Sequence, residues 1–224
     1  MWPFNEANYP AFFLFVYDAW VLHTVTPLVW RCSTKEVLLP LYQRNVDRHH
    51  CDIGCGSGYY LVHNTYTPES TITLLDIEPA PLSSTTTRLH QSHPTLPVHA
   101  HQHDILSPSP IPPPPPPSSL YDSISLTYLL HTLPASTATK ASVFEKLKPA
   151  IAPSGVIFGA TILGRGAWHS FLGRGFLRWL NWKWLDNYDD RPEVFVDALR
   201  ENFKDVKCEI VGSVLIFEAR EPIV

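Results

Sequence analysis

The residues best suited to chemistry lie between positions 52 and 104: Asp52, then Gly54, Gly56 and Gly58 in alternation, then Asp76 and Asp104. The glycines fall where a strand is expected to turn into a helix, and residues without a Cβ let main chain press directly against a ligand. Asp76 follows Gly58 by eighteen residues, at the end of the strand-like run 71–75. A nucleotide-binding α/β unit places there the acid that holds a ribose, because one carboxylate accepts from two hydroxyls at once. Glu78 competes for the same role. The glycines read G-x-G-x-G, since Tyr59 and Leu61 stand where the dinucleotide pattern G-x-G-x-x-G would put its last glycine. No Gly-Lys pair follows at the spacing of a triphosphate-binding loop, so that ligand class loses its simplest site.

Further landmarks follow in order. Residues 97–105 read as a third strand ending at Asp104, residues 120–131 as a fourth, and residues 147–156 as the turn into a fifth. Taken together, these segments resemble the class I S-adenosylmethionine-dependent methyltransferases over roughly residues 45 to 220. Within that family the resemblance is closest to small stand-alone methyltransferases of fungal natural-product pathways, through Trp30-Arg31-Cys32, Tyr128-Leu129-Leu130-His131 and residues 158–163. It implies an α/β, Rossmann-like, seven-stranded sheet, mostly parallel with an antiparallel last strand and helices on both faces. It also implies S-adenosylmethionine as cofactor. The residues that would hold it are Asp52, Gly54, Gly56, Gly58, Asp76, Ile77, Asp104 as the adenine partner, Ile105, Thr127 and, from the N-terminal segment, Tyr17.

The elements that must position these residues fit one domain. A chain of 224 residues with 45% hydrophobic and 12% aromatic side chains can fill a single α/β core. We divide it into an N-terminal helical cap (1–44), a cofactor-binding core (45–163), a proline-rich loop insertion (107–119), an aromatic acceptor cap (164–190) and a final helix with hairpin (191–224). Ser33 and Glu36 form a capping-box pattern that predicts a helix to Tyr42. The strand before the glycines is the weakest, because Arg48-His49-His50-Cys51 is more polar than a buried parallel strand should be. Residues 208–211 and 214–217 predict an antiparallel hairpin around Gly212-Ser213.

Several classes fall away. A net charge of −4 disfavours a nucleic-acid surface. Cys32, Cys51, Cys55 and Cys208 make neither a disulfide framework nor a zinc-binding set, so no metal is expected. The apolar run 11–16 lacks a basic leader and is broken at Asp18, which predicts neither signal peptide nor membrane span and a cytoplasmic protein.

Methyl transfer from a sulfonium needs an acceptor lone pair held in line and water kept out. A phenol or enol acceptor also benefits from a base, and histidine titrates in the right range. His131 is the first candidate, with His169 and Tyr188 as alternatives. Trp168, Phe171, Phe176, Trp179, Trp182 and Trp184 make residues 164–184 suitable for a small aromatic or lipophilic acceptor. The expected activity is O-methylation of an enol or phenol of a polyketide-like secondary metabolite. The alternatives are a methyltransferase-like cyclase or pericyclase that binds S-adenosylmethionine without methyl transfer, and a noncatalytic binding subunit that has kept the scaffold.

Overall fold

The computed structural model describes residues 25–182 and 185–223, so the expected roles of Tyr17 and Trp184 lie outside the described residues. Seven strands form one sheet in the order β3-β2-β1-β4-β5-β7-β6. They are β1 (His49–Ile53), β2 (Thr71–Asp76), β3 (Val98–Gln102), β4 (Tyr121–Thr127), β5 (Ile151–Ile162), β6 (Phe203–Val211) and β7 (Val214–Pro222). β7 runs antiparallel to both its neighbours, and the pairs among β1 to β5 are parallel. The last strand in sequence is therefore the reversed one, as expected. The terminal hairpin is longer than its apolar runs, because β6 starts directly after the last helix at Phe203 and pairs along its length with β7.

The helices are α1 (Leu39–Asn45), α2 (Tyr59–Val62), α3 (Pro79–Ser92), α4 (Thr137–Ala141), α5 (Val143–Leu147), α6 (Phe171–Asn181) and α7 (Pro192–Asn202), with a π-helical turn (Thr34–Leu38) leading into α1. Ser33 caps that turn as its pattern predicts, its hydroxyl accepting from the Glu36 amide at 3.1 Å. Period-two alternation in β5 feeds two cores. Phe158, Ala160 and Ile162 face a layer containing Leu41, Tyr42 and Leu177. Ile157 and Leu163 face Phe144, Phe195 and Leu199 on the other side. Burying each large apolar side chain contributes roughly 1.5–3 kcal/mol, and the two layers hold the sheet between them.

β1 is central despite its polarity, for a reason visible one strand away. His50 is fully buried, and its Nδ1 lies 2.8 Å from the Ser123 hydroxyl and its Nε2 3.1 Å from that of Ser125. Polar residues at the same face of β1 and β4 satisfy one another, which removes the penalty that the strand's composition suggests.

Between β3 and β4 the proline-rich stretch forms neither helix nor strand, as expected. It is nonetheless fastened: Ile111 is buried and the Tyr121 hydroxyl donates to the Pro112 carbonyl at 2.7 Å. At the opposite end of the molecule the β6–β7 turn receives the Trp30 segment. The Ser213 amide donates to the Trp30 carbonyl at 2.9 Å, and a Cβ on Gly212 (φ +62°) would collide with that same carbonyl.

Candidate cofactor and acceptor site

The glycine loop leaves the end of β1 with Gly54, Gly56 and Gly58 all at positive φ (75°, 52° and 69°). The three are glycine for different reasons. A Cβ on Gly54 would come within 2.8 Å of Leu129, and one on Gly58 within 2.6 Å of Thr85. At Gly56 the nearest atom is a main-chain oxygen 4.0 Å away, so that position opens onto free space rather than protein. The loop is held by Gly54 N–H donating to the Leu75 carbonyl at 2.8 Å and by the Thr85 hydroxyl donating to the Gly56 carbonyl at 3.0 Å.

Asp52 sits under the loop, 3% exposed. Its Oδ2 accepts from the Tyr42 hydroxyl at 2.8 Å and from the Ser125 hydroxyl at 2.9 Å. Tyr42 and Ser125 were not singled out from the sequence. The signal for Ser125 was the alternation of His50 with Asp52 on β1 and of Ser123 with Ser125 on β4; Tyr42, on α1, had none.

Asp76 ends β2 beside the loop and is half-buried. Burial pushes its carboxyl up from 3.8 to about 6, against the pull of the Glu78 amide, which donates to Oδ1 at 3.0 Å. The neighbouring charges of Asp52 and Glu78 push the same way as burial, and the Gly56 amide opposes them. The next residue, Ile77, is 57% exposed, an apolar side chain at a strand end with no core to fill. Asp104 lies one strand further on and is exposed; its Oδ1 accepts from the Leu106 amide at 2.8 Å, while Ile105 is buried. Thr127 ends β4, buried, its hydroxyl completing no hydrogen bond of good geometry among the described residues although Tyr42 lies near it. Because β3, β2, β1 and β4 are adjacent and parallel, Asp104, Asp76, the glycine loop and Thr127 share the carboxyl edge of the sheet.

These residues fit an adenosine bearing a charged side chain: open space at Gly56, a carboxylate for the ribose, an exposed apolar residue beside it and the buried Thr127 hydroxyl. The Asp76 shift also gives a pH dependence with a definite sign. With its carboxyl raised above the unfolded value, Asp76 favours folding fully below about 3.8, and that contribution is lost as pH rises through about 6. Ribose hydroxyls donate to the ionised form, so ligand affinity has the opposite slope. Calorimetric affinity for S-adenosylhomocysteine is expected to rise roughly tenfold from about pH 5 to about pH 7. A flat profile would remove Asp76 from the contact.

The histidines differ sharply. His131 follows β4 and is 5% exposed. Burial, aided by the Lys140 charge, lowers its pKa to about 3, and its Nδ1 accepts from the Ile162 amide at 3.5 Å. Lys140 is itself fully buried and paired with Asp190 at 2.9 Å. That pair also bonds the Thr137 hydroxyl to Asp190, at 2.9 Å, fixing the loop before α7.

His169 lies just before α6 and is half-buried, its ring edge-on to Trp30 with centroids 6.5 Å apart. Neither ring nitrogen completes a hydrogen bond among the described residues. Burial lowers its basicity, and the nearby Leu163 carbonyl partly offsets this. Phe176 closes the same corner, 5.9 Å from Trp30. Tyr188 points outward, 52% exposed, with the Arg165 guanidinium 5.7 Å from its ring centre. All four cysteines are free, and burial raises the Cys32 thiol to about 12, so it is inert as a nucleophile at neutral pH.

The sequence pattern of the methyltransferase domain family matches residues 51–157. The O-methyltransferase adaD of Aspergillus niger is 38% identical over 226 residues, covering 98% of this chain and 89% of that protein. The chain belongs to the methyltransferase family. The methyltransferase is also 36% identical to the physcion biosynthesis cluster O-methyltransferase of Aspergillus chevalieri, over 96% of this chain and 94% of that protein. Its fold is shared with the N-methyltransferase NodS of Bradyrhizobium japonicum, solved with S-adenosylhomocysteine, at TM-score 0.55 and 15% identity, covering 83% of this chain and 85% of that one. This methyltransferase uses S-adenosylmethionine and groups with methyltransferases of fungal secondary metabolism. Among its described residues, no helix is long and apolar enough to cross a membrane.

Proposed function

We propose that this methyltransferase methylates an enol or phenol oxygen of a polyketide-like acceptor, with His169 as the base. The observation that carries this reading is the corner formed by His169, Trp30 and Phe176, where an imidazole whose ring nitrogens complete no hydrogen bond of good geometry among the described residues stands among aromatic rings, on the side of the sheet that carries Tyr42 and Phe158. The O-methyltransferase names of the two fungal relatives support oxygen as the acceptor atom and favour transfer over ring closure without transfer.

Asp76 would hold the ribose, Asp104 the adenine edge, and the 54–58 backbone with Thr127 the remainder of the cofactor. When bound, S-adenosylmethionine supplies a methyl group on a positively charged sulfur. His169 would take the acceptor's hydroxyl proton, and the aromatic corner would keep water away. A base whose basicity is lowered by burial is restricted to the more acidic hydroxyl acceptors, because a weaker base draws a proton only from a stronger acid.

Turnover of an enol acceptor with isotopically labelled cofactor tests this. His169→Ala is expected to slow label transfer roughly a hundredfold while S-adenosylhomocysteine still raises the melting temperature. His131→Ala is expected to lower stability with a smaller effect on turnover, since its buried ring supports Ile162 and packs edge-on against Tyr128 at 5.6 Å. The reverse pattern in folded variants would move the base role to His131.

A further inference from the structure

α6 presents two faces, and core packing accounts for only one of them. On the inward face Leu177 is buried, and Phe176 and Leu180 pack with it against the layer that contains Trp30 and Ile162. The outward face carries aromatic bulk into solvent. Phe171 is 83% exposed, Trp179 47%, and Trp182, which caps the C-terminal end, 76%. At about 100° per residue, Phe171, Gly175, Arg178 and Trp182 fall within about 60° of one another and opposite Leu180, with Arg174 and Trp179 on the two flanks.

The patch continues beyond the helix. Trp168 is 55% exposed, with the Arg31 guanidinium 4.0 Å from its ring centre. Val29 joins Phe171, Arg174, Arg178 and Trp179 in lining one open groove, directly after the exposed Leu28. A single exposed apolar side chain needs no explanation. Several large aromatics gathered on one surface do, because together they leave a contiguous apolar area in water.

Whatever covers this face must match its charge. Residues 164–184 hold four basic residues and no acid, in a chain whose net charge is −4. Arg165 is paired with Asp189 at 2.7 Å, whereas Arg174 and Arg178 stand exposed among the aromatic rings. A second copy related by two-fold symmetry would set these cations against one another. An anionic bilayer complements both features at once: aromatic rings settle at the headgroup level, and guanidinium groups meet lipid phosphates and carboxylates.

We propose that the outward face of α6, with Trp168 and Arg31 beside it, docks this methyltransferase on an anionic lipid bilayer as a peripheral attachment. The helix lies in the plane of the interface, Phe171 and Trp182 enter the headgroup region, and Arg174 and Arg178 contact the lipid charges. Docking stands apart from the acceptor reading above, since it uses the face of α6 turned away from Trp30.

Flotation of the full chain tests this, with vesicles of phosphatidylcholine alone and of phosphatidylcholine and phosphatidylserine in equal parts. Binding to the mixed vesicles is expected to be at least roughly tenfold tighter than to phosphatidylcholine, and to weaken in high salt. Arg174→Ala combined with Arg178→Ala is expected to weaken it roughly thirtyfold, and Phe171→Ser combined with Trp182→Ser at least roughly tenfold. These side chains are exposed, so both variants are expected to keep the wild-type melting temperature and its rise with S-adenosylhomocysteine. Failure of the wild type to float with the mixed vesicles, equal binding to both vesicle types, or full binding by either variant would overturn the proposal. So would sedimentation showing a dimer that either variant dissociates, which would assign the face to a second copy of the chain.

Discussion

Replacing Gly56 by valine is expected to abolish cofactor binding, with S-adenosylhomocysteine affinity reduced at least roughly a hundredfold and no thermal stabilisation by the ligand. The reasoning depends on the contrast among the three loop glycines. Side chains on Gly54 and Gly58 would strike Leu129 and Thr85, so those variants would damage the fold and report little about ligand. A Cβ on Gly56 meets no protein atom closer than 4.0 Å, so the space that a side chain there would enter is the space expected to hold the ligand. The backbone at φ +52° adds strain of roughly 1–3 kcal/mol for a branched residue, which the folded protein should survive with a lowered melting temperature. A folded valine variant that binds with unchanged affinity would show that the loop cradles something else.

For Asp76→Ala, affinity and stability are expected to move in opposite directions. Two hydroxyl donors to a carboxylate contribute roughly 1.5–3 kcal/mol each, and part of that is offset by the cost of keeping the charge in a half-buried place, so cofactor affinity should fall roughly a hundredfold. In the ligand-free protein the ionised carboxyl is disfavoured by burial, which is why its pKa is about 6. Removing it should therefore leave the apo melting temperature at neutral pH no lower than wild type, despite loss of the bond from the Glu78 amide. Differential scanning fluorimetry with and without S-adenosylhomocysteine separates the two effects. A large apo destabilisation with little change in affinity would make Asp76 a structural residue.

The loop and strand-end geometry of the candidate cofactor site was legible because it is local. Three glycines, an acid before them and an acid at the next strand end lie within 25 positions, from Asp52 to Asp76, and strand order in a parallel sheet then brings their ends together. The final helix and the hairpin were legible from periodicity, although the hairpin was underestimated because its outer half carries few apolar residues, as in Lys204, Asp205 and Lys207.

The acceptor half was much less legible. His131 and His169 look alike as letters. What separates them is long-range: the buried Lys140–Asp190 pair near one, the Trp30 ring beside the other. β1 looked too polar to be central because its partners Ser123 and Ser125 lie more than 70 residues away. The left-handed backbone at Tyr128 gave no signal, since such a conformation at a non-glycine residue is imposed by surroundings and not by its own preference.

The most direct test of the account is a crystal structure grown with S-adenosylhomocysteine. We expect the nucleoside against the main chain of residues 54–58, both ribose hydroxyls within hydrogen-bonding distance of the Asp76 carboxylate, and the sulfur on the side of the sheet that carries Tyr128 and Trp30. Density for the ligand anywhere else, or a ribose that leaves Asp76 untouched, would contradict it.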